Sequence, residues 1–525
     1  MPIFTRILKN QYHDSVALML ATRELKNRAQ IADAAYMMGT EVNKTLLKQG
    51  GLLNPAAAGA QANDLIIAVK GEGDVVQILD LDEELLSTKK TQQEGVSTKS
   101  GTFRSALRAH PEFNTAVISI AGAFAPREAR EALANGLNVL LFSDNVSLQD
   151  EIDLKKFALS RGLLLMGPGA GTAIINGVGL GFANAVPRGA VGIVSAAGTG
   201  LQEVSSLLAR QGLGISQAIG TGGRDLSKAV GGLMFMAAIV SLQADVSTRL
   251  IVLISKPPDT EIAEKLIKKL ANSPKPIVLC LLGAKPPTQI RSNLYFTRTL
   301  EECALVAQSV YSSLDEPPSR RIEKSDAALR AEILKKKISF EPGQAFIRAL
   351  FSGGTLCYEA QVIWQDELSE PVYSNAPLKA DHQIPDISNC TGHCALDLGE
   401  EDFTVGRPHP MIDNELRIQR MKQEATDPQA ALIMFDVVLG YGAHPNPAQE
   451  LAEAINEIQL SESQKAHPLA FLSAITGTEA DPQGYDQSKE VLEDAGVIVC
   501  GSNAQAARMA AYLVNRAEEI RDSDE

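Results

Sequence analysis

Aromatic side chains are scarce in this chain, 5% of residues with a single tryptophan, which removes any stacking platform for single-stranded nucleic acid. Positive charge is short as well. Against 63 Asp and Glu stand 49 Lys and Arg, a formal net charge of -14, so an extended phosphodiester partner lacks the basic face it requires, although a local basic pocket survives that argument. Cysteine is thin, six in 525 residues, and only Cys390 and Cys394 lie close together. That excludes a disulfide framework and a zinc ribbon and suits a reducing cytoplasm. No apolar run reaches the ~18 residues of a membrane span, and Met1-Pro-Ile-Phe-Thr-Arg carries no basic-then-apolar leader. Neither a Gly-x-x-x-x-Gly-Lys-[Ser/Thr] phosphate loop nor a Gly-x-Gly-x-x-Gly opening occurs, so no nucleotide site is readable. The expectation is a cytoplasmic protein that binds neither nucleic acid nor membrane.

What is present is α/β material, 45% hydrophobic against 21% charged, with 41 glycines. At roughly 100 to 200 residues per domain the length predicts about three or four domains. Residues 1–90 read as a small ACT-like or ferredoxin-like α+β unit, with strands at Ile3–Leu8, Ala32–Met38 and Asp64–Val69 and helices at Ser15–Asn27 and Glu41–Gln49. Residues 91–188 start in a polar stretch and then alternate strands (Ala116–Ile120, Asn138–Phe142, Leu163–Met166) with helices, a partial Rossmann-like unit with a parallel sheet. The remainder is an internal duplication. Residues 189–315 and 345–525 read as two flavodoxin-like domains, separated by a linker and charged helix at 316–344.

Each copy runs a buried-type strand into a glycine and hydroxyl turn that opens a helix: Ser195-Ala-Ala-Gly198-Thr199 in the first, Ser352-Gly353-Gly354-Thr355 in the second. The unpaired N–H groups and dipole of a helix start favour phosphate or carboxylate. A Ser N-cap with glycines for tight βα packing is the other explanation for each copy. Equivalent placement in a duplicated domain favours one phosphate site shared by two facing helix ends. After the first copy's second strand, Gly222-Gly223-Arg224-Asp225 offers backbone N–H groups and a guanidinium to an oxyanion, unless Arg224 is simply a surface ion pair. The densest string is Gly406-Arg407-Pro408-His409-Pro410, where prolines fix the backbone without supplying helix or strand pairing. His409 there is a candidate general acid/base or phosphoryl acceptor, or else a solvated turn histidine. Asp436, inside an apolar strand that ends near His444, needs a partner and is a candidate orienter or metal ligand. The spacing of His409, Asp436 and His444 matches no metal signature, so no metal is assigned.

These residues carry a resemblance. Met166-Gly167-Pro168, Ile193-Val-Ser195-Ala-Ala-Gly198-Thr199 and Ile219-Gly-Thr-Gly222-Gly223-Arg224-Asp225 make the stretch from Thr115 to Leu282 similar to the α subunit of succinyl-CoA synthetase. Residues 345–500 are similar to the C-terminal domain of that enzyme's β subunit. The whole chain resembles the FdrA family through Met38-Gly-Thr-Glu-Val-Asn43-Lys44, Leu141-Phe-Ser-Asp144-Asn145-Val146, Ser255-Lys256-Pro257-Pro258 and Val405-Gly-Arg407-Pro-His409-Pro-Met-Ile-Asp413.

The resemblance implies a CoA-binding-type fold for residues 91–188 and ligase-type folds for the two flavodoxin-like domains. It also implies two lines of chemistry. One branch of the family resembles a subunit of oxamate carbamoyltransferase, which converts oxalurate and phosphate to oxamate and carbamoyl phosphate with two accessory subunits encoded nearby. That is the first expectation, with phosphate on the two turns, Arg224 or Arg407 stabilising developing negative charge, and His409 as acid/base. The alternative is an acyl-CoA synthetase subunit working through a phosphorylated intermediate, with His409 as a relocated phosphohistidine. A ligand-sensing scaffold is a third. No resident cofactor is expected; phosphate or carbamoyl phosphate is a substrate, Mg2+ an optional helper, and CoA enters only in the ligase reading. A small carbamoyl or acyl compound and the accessory subunits are the expected partners, with a homodimer as the simpler assembly. The sequence departs from the synthetases at Leu282-Gly-Ala-Lys-Pro-Pro287, where their Gly-His-Ala-Gly loop has no match, and from FdrA proteins at Gly169-Ala170, where they have Asp-Cys.

Overall fold

The computed structural model describes residues 2–9, 11, 18, 21–22, 25–26, 31–40, 43–44, 47–48, 50–71, 102–284, 293–336, 338–404, 408–461 and 467–524. The expected helices at Ser15–Asn27 and Glu41–Gln49 fall largely outside these residues, and Arg407 and the polar stretch before Thr102 fall outside them entirely. Two compact units are present, Met1–Ala109 with Thr404–Pro408, and His110–Phe403 with His409–Glu525.

In the first unit, β1 (Ile3–Leu8), β2 (Ile31–Met38) and β3 (Leu65–Gly71) form an antiparallel sheet in the order β1-β3-β2. Alternation along β3 sends Leu65, Ile67 and Val69 to one apolar cluster and Ile66 and Ala68 to another, so the sheet is covered on both faces.

The second unit holds three sheets. β4 (Thr115–Ile118), β5 (Asn138–Leu141) and β6 (Leu165–Met166) are parallel, with α1 (Ala125–Ala134) and α2 (Leu148–Ser160) as crossovers. β7 (Thr172–Ile175) and β8 (Val178–Gly181) make a hairpin, two strands for which the sequence analysis names no element. Its signal was Asn176-Gly177, both at positive φ (51° and 82°), the dipeptide that fits a tight hairpin turn. Next come β9 (Arg188–Ser195), α3 (Gly198–Arg210), β10 (Ile215–Gly220), α4 (Leu233–Ala244), β11 (Leu250–Ser255), β12 (Ile277–Leu281), β13 (Leu294–Phe296) and α5 (Leu300–Ser312). After the charged helix Pro318–Lys335 follow β14 (Phe346–Phe351), α6 (Gly354–Glu367), β15 (Val372–Ser374), β16 (His393–Asp397), α7 (Glu415–Glu424), β17 (Ala430–Val438), β18 (Ala470–Thr476), β19 (Ile498–Cys500) and α8 (Asn503–Asp524).

The sheet orders are β13-β12-β11-β9-β10-β7-β8 and β15-β16-β14-β17-β18-β19. Leaving out the hairpin and β15, both read 2-1-3-4-5, the flavodoxin-like order, with all five strands parallel. Every residue of β11, β12, β17 and β18 is buried, as expected of strands covered by helices on both sides. In this topology the crevice opens at the carboxyl ends of strands 1 and 3, where the order reverses. Here those are β9 and β11 in one subdomain, β14 and β17 in the other. Among the described residues no helix is long and apolar enough to cross a membrane.

One expectation needs correction. Cys390 and Cys394, four residues apart, are joined by a disulfide, with Cα atoms 5.9 Å apart. The remaining four cysteines are buried thiols.

The two ligase-type subdomains are fastened by a reciprocal exchange of helix caps. Glu203 on α3 accepts from Asn503 N at the start of α8 (3.2 Å) and from the Thr476 hydroxyl. Glu359 on α6 accepts from Leu300 N at the start of α5 (2.5 Å) and from Asn503 Nδ2 (2.7 Å). Both carboxyls are buried, and burial raises both above the usual range, Glu359 to about 8. A carboxyl with a raised folded pKa binds its proton more tightly folded than unfolded, so stability falls as pH rises from the unfolded value, near 4.5, to about 8. Glu359→Gln should therefore flatten the decline in melting temperature across that window. An unchanged slope would show that Glu359 is ionised in the folded chain.

Candidate functional site

The two helix starts meet directly. Thr355 N donates to Thr199 Oγ1 at 3.3 Å. A Cβ on Gly353 would lie 2.8 Å from Thr199 Cγ2, and one on Gly200 would lie 2.8 Å from Thr355 Cγ2. Only glycine lets the backbones approach so closely. The sites proposed from Gly198, Thr199, Gly353, Gly354 and Thr355 are thus one place, and the two starts are unequal within it. On α3, Ser195 is spent locally, its hydroxyl donating to Ala197 O (2.7 Å) and accepting from Ala197 N (3.0 Å). The N–H groups of Gly198, Thr199 and Gly200 take no acceptor among the described residues. On the other side, Ser352 N and Gly353 N each donate to Asp436 at 2.8 Å, and Ser352 Oγ donates to it at 3.0 Å.

Asp436 is therefore held by backbone and by Arg417, which donates to its Oδ1 at 2.9 Å and its carbonyl at 2.6 Å. Its neighbour in sequence, His444, pairs with Glu450 at 3.2 Å. These contacts make Asp436 an orienter of the Ser352-Gly353 turn. Among the described residues no cluster of His, Cys, Asp and Glu could hold a metal ion.

Two residues without an assigned role complete the cleft. Lys256, just after β11, reaches across to the other subdomain: its Nζ stands 3.3 Å from Glu400 Oε1 and 3.9 Å from Asp397 Oδ2, with the Tyr358 ring 5.2 Å away. Asp397 ends β16, buried, and accepts from Gly399 N at 3.0 Å. A side chain at Gly354 would collide with both Asp397 Oδ2 and Lys256 Nζ. Their sequence signal was position alone, a charged residue at the carboxyl end of an apolar strand.

His409 stands over Gly399, whose Cβ would lie 2.8 Å from the imidazole Nε2, and its ring lies 5.9 Å from that of Phe182. Met411 N donates to Nδ1 at 3.2 Å, which assigns the proton of the neutral ring to Nε2. Burial, with the Arg417 charge, pushes the imidazole down to about 4. At neutral pH His409 is thus an N–H donor facing the cleft.

Gly222, Gly223 and Arg224 lie in the loop after β10, which begins beside the α3 turn, where Thr221 N donates to Ser195 O at 2.7 Å. Gly222 has φ 90° and a Cβ there would press on Pro168 O at 2.5 Å, so it is a backbone device. Gly223 has open space where a Cβ would be. Arg224 Nε pairs with Glu151 at 2.8 Å and its NH2 donates to Val146 O at 2.8 Å, which ties this loop to the start of α2. Beneath it Lys155 Nζ joins Glu151 (2.8 Å), Asp225 (2.7 Å) and Thr221 O (3.1 Å), with all three charged side chains fully buried.

Comparison with known proteins accords with this geometry. Residues 350–513 match a CoA-ligase model, and residues 1–102 match the heavy-metal-associated domain of AllF. The latter name does not fit a soft metal here, since the first cysteine of the chain is Cys280 and paired thiolates are missing from that domain. The uncharacterized protein YahF of Escherichia coli K12 is 41% identical over 98% of this chain and 99% of its own length. The α subunit of ADP-forming succinate–CoA ligase from Methanothermobacter thermautotrophicus is 27% identical over 34% of this chain; the match spans 59% of that relative. A chain of ATP citrate lyase from Methanothrix soehngenii, solved with citrate and coenzyme A, aligns with 18% identity over 41% of this chain and 42% of that one, at a TM-score of 0.36. The chain belongs to the family of YahF, an FdrA-like family, here with an AllF-type N-terminal domain and succinyl-CoA-synthetase-like ligase domains.

Proposed function

We propose that the second unit transfers an acyl group to or from phosphate, as the ligase-type component of a larger assembly. The observation that carries this reading is the convergence at one cleft of the open α3 start, Lys256 from one ligase-type subdomain, and the His409 N–H from the other. A tetrahedral dianion on the free N–H groups of Gly198 to Gly200 is favoured by the helix dipole and by Lys256. His409 Nε2–H supplies a fixed hydrogen bond to charge developing on an acyl or phosphoryl oxygen. Asp436 and Arg417 set the position of the facing turn.

The ends of β4, β5 and β6 are filled by the chain itself: Gly122 packs against Asn145, and Gly169 against the Asp144 carboxyl. No glycine cradle is left for a pyrophosphate, so the geometry supports acyl transfer from phosphate without a CoA seat on these loops. The accessory subunits would supply the rest of the machinery, with no resident cofactor and Mg2+ as an optional helper.

Carbamoyl transfer between oxalurate and phosphate is the second reading. What favours it is His409 itself: a ring whose Nδ1 is held by Met411 N–H and whose Nε2 is protonated offers a donor, and no phosphoryl acceptor. The CoA-ligase match favours the first reading.

The test is the assembly purified with its native partners, given phosphate and a panel of acyl-CoA and N-carbamoyl compounds. Phosphate-dependent thiol release is expected, falling on the order of 10²-fold in His409→Phe, the cost of removing one fixed donor. Phosphate-dependent cleavage of oxalurate alone would select the second reading. No phosphate dependence with any compound would end both.

A further inference from the structure

Asp397 differs from Asp436 and Asp225, two buried carboxylates with close cations. Asp436 has Arg417 at 2.9 Å and Asp225 has Lys155 at 2.7 Å. Asp397 is only 2% exposed, yet it takes one backbone hydrogen bond and stands 3.9 Å from its cation, Lys256, which sits closer to Glu400. Two glycines let the backbone pack closely on either side of it. A Cβ on Gly354 would strike Oδ2, and one on Gly399 would lie 3.2 Å from Oδ1, 2.8 Å from His409 Nε2 and 3.1 Å from Ser352 O. One residue into α6, the Thr355 hydroxyl is buried without a hydrogen-bond partner. A shielded carboxyl, a shared lysine and an imidazole N–H therefore gather about Gly354 and Gly399, with an unpartnered hydroxyl on the next residue of α6.

The charges around Asp397 decide how it responds to a ligand. Lys256 is the group that favours its ionised form; Glu400 and Asp436 oppose it, His409 is neutral, and Cys357 and Tyr358 of α6 are held as thiol and phenol by burial. Burial is the largest influence and raises Asp397 to about 7. An arriving dianion competes for Lys256 and adds like charge beside the carboxylate, and both effects favour the protonated acid.

We propose that this cleft takes up a tetrahedral dianion together with a proton, and that the proton resides on the Asp397 carboxyl while Lys256 turns to the anion. The inference rests on the cleft being the anion site described above. In phosphorolysis of an acyl donor the bound phosphate oxygen attacks the acyl carbon. The C–S or C–N bond breaks with its electron pair on sulfur or nitrogen, and the Asp397 proton goes to that leaving atom. Acyl phosphate departs, and the carboxylate regains Lys256.

Calorimetric titration of the purified full-length chain with sodium sulfate, in buffers of different ionisation enthalpy, tests this. Sulfate remains a dianion throughout, so any proton counted belongs to the protein. Little uptake is expected at about pH 6, where Asp397 is already protonated, and close to one proton per sulfate at about pH 8. Asp397→Asn should bind sulfate with no uptake and with the same affinity at both values. Lys256→Gln should bind about tenfold more weakly and lose the uptake, since its Asp397 is protonated beforehand.

Binding by the wild type at about pH 8 without uptake would overturn the proposal, as would uptake retained in Asp397→Asn. If that variant fails to fold, the wild-type titration and Lys256→Gln decide. Failure of the wild type to bind either sulfate or phosphate would remove the anion site itself, and with it this inference.

Discussion

Asp436→Ala should cost about 3 to 5 kcal/mol of stability and abolish anion binding at the cleft. Four contacts end at this carboxyl: Ser352 N, Ser352 Oγ, Gly353 N and Arg417 NH1. Truncation leaves the Arg417 guanidinium buried beside an empty space, and a buried charge without its partner is far more costly than the pair was favourable. It also orphans two backbone donors, each worth about 1 to 3 kcal/mol when nothing replaces the acceptor. The turn would then swing to recover partners, and because Gly353 is in contact with Thr199 the movement reaches the α3 start. Urea unfolding followed by the single tryptophan, Trp364 on α6, reports the loss where it occurs. Retention of wild-type stability with sulfate affinity intact would show that Asp436 neither anchors the turn nor shapes the site.

How far the sequence leads depends on whether a signal is local. The paired turns were legible because each sits in a short run of strand, glycine, hydroxyl and helix, and duplication placed them at equivalent points. Their inequality was not legible. It depends on Asp436 arriving from β17 to occupy one turn's N–H groups, a contact between residues 84 positions apart. Lys256 lay in a string noted for the family resemblance, and nothing in the sequence says that it and Asp397 face each other across two subdomains. The hairpin was missed although Asn176-Gly177 announces it, because its two strands are only four residues each. His409 was singled out for its place between two prolines. Its protonation could come only from the fold, since the group that fixes it is the backbone N–H of Met411. The chemistry divides in the same way: the proposed phosphate end of the substrate was suggested by the helix starts, whereas the group attached to it was first taken as carbamoyl from the family resemblance. The CoA-ligase match over residues 350–513 now supports acyl transfer better.

Lys155→Met should be as damaging as the loss of Asp436, at a site well removed in sequence from either turn. The side chain keeps its length and loses its charge, so packing is conserved and the electrostatic loss is isolated. Two carboxylates, Glu151 at 2.8 Å and Asp225 at 2.7 Å, then share a buried space with no lysine between them. Arg224 still reaches Glu151, but it is half exposed and touches the other oxygen. Asp225 cannot turn away, because it also receives Phe235 N at 2.6 Å and so caps α4. The expected cost is about 3 to 5 kcal/mol. Its source can be separated by a double-mutant cycle. Asp225→Asn keeps an oxygen for Phe235 N and removes one of the two stranded charges, so Lys155→Met with Asp225→Asn should be more stable than Lys155→Met alone. If the double variant is instead the weaker by the sum of the single losses, Lys155 and Asp225 act independently. The link from α2 to the loop after β10 must then lie in the Arg224–Glu151 pair, at an arginine for which the sequence offered either an oxyanion or a surface ion pair.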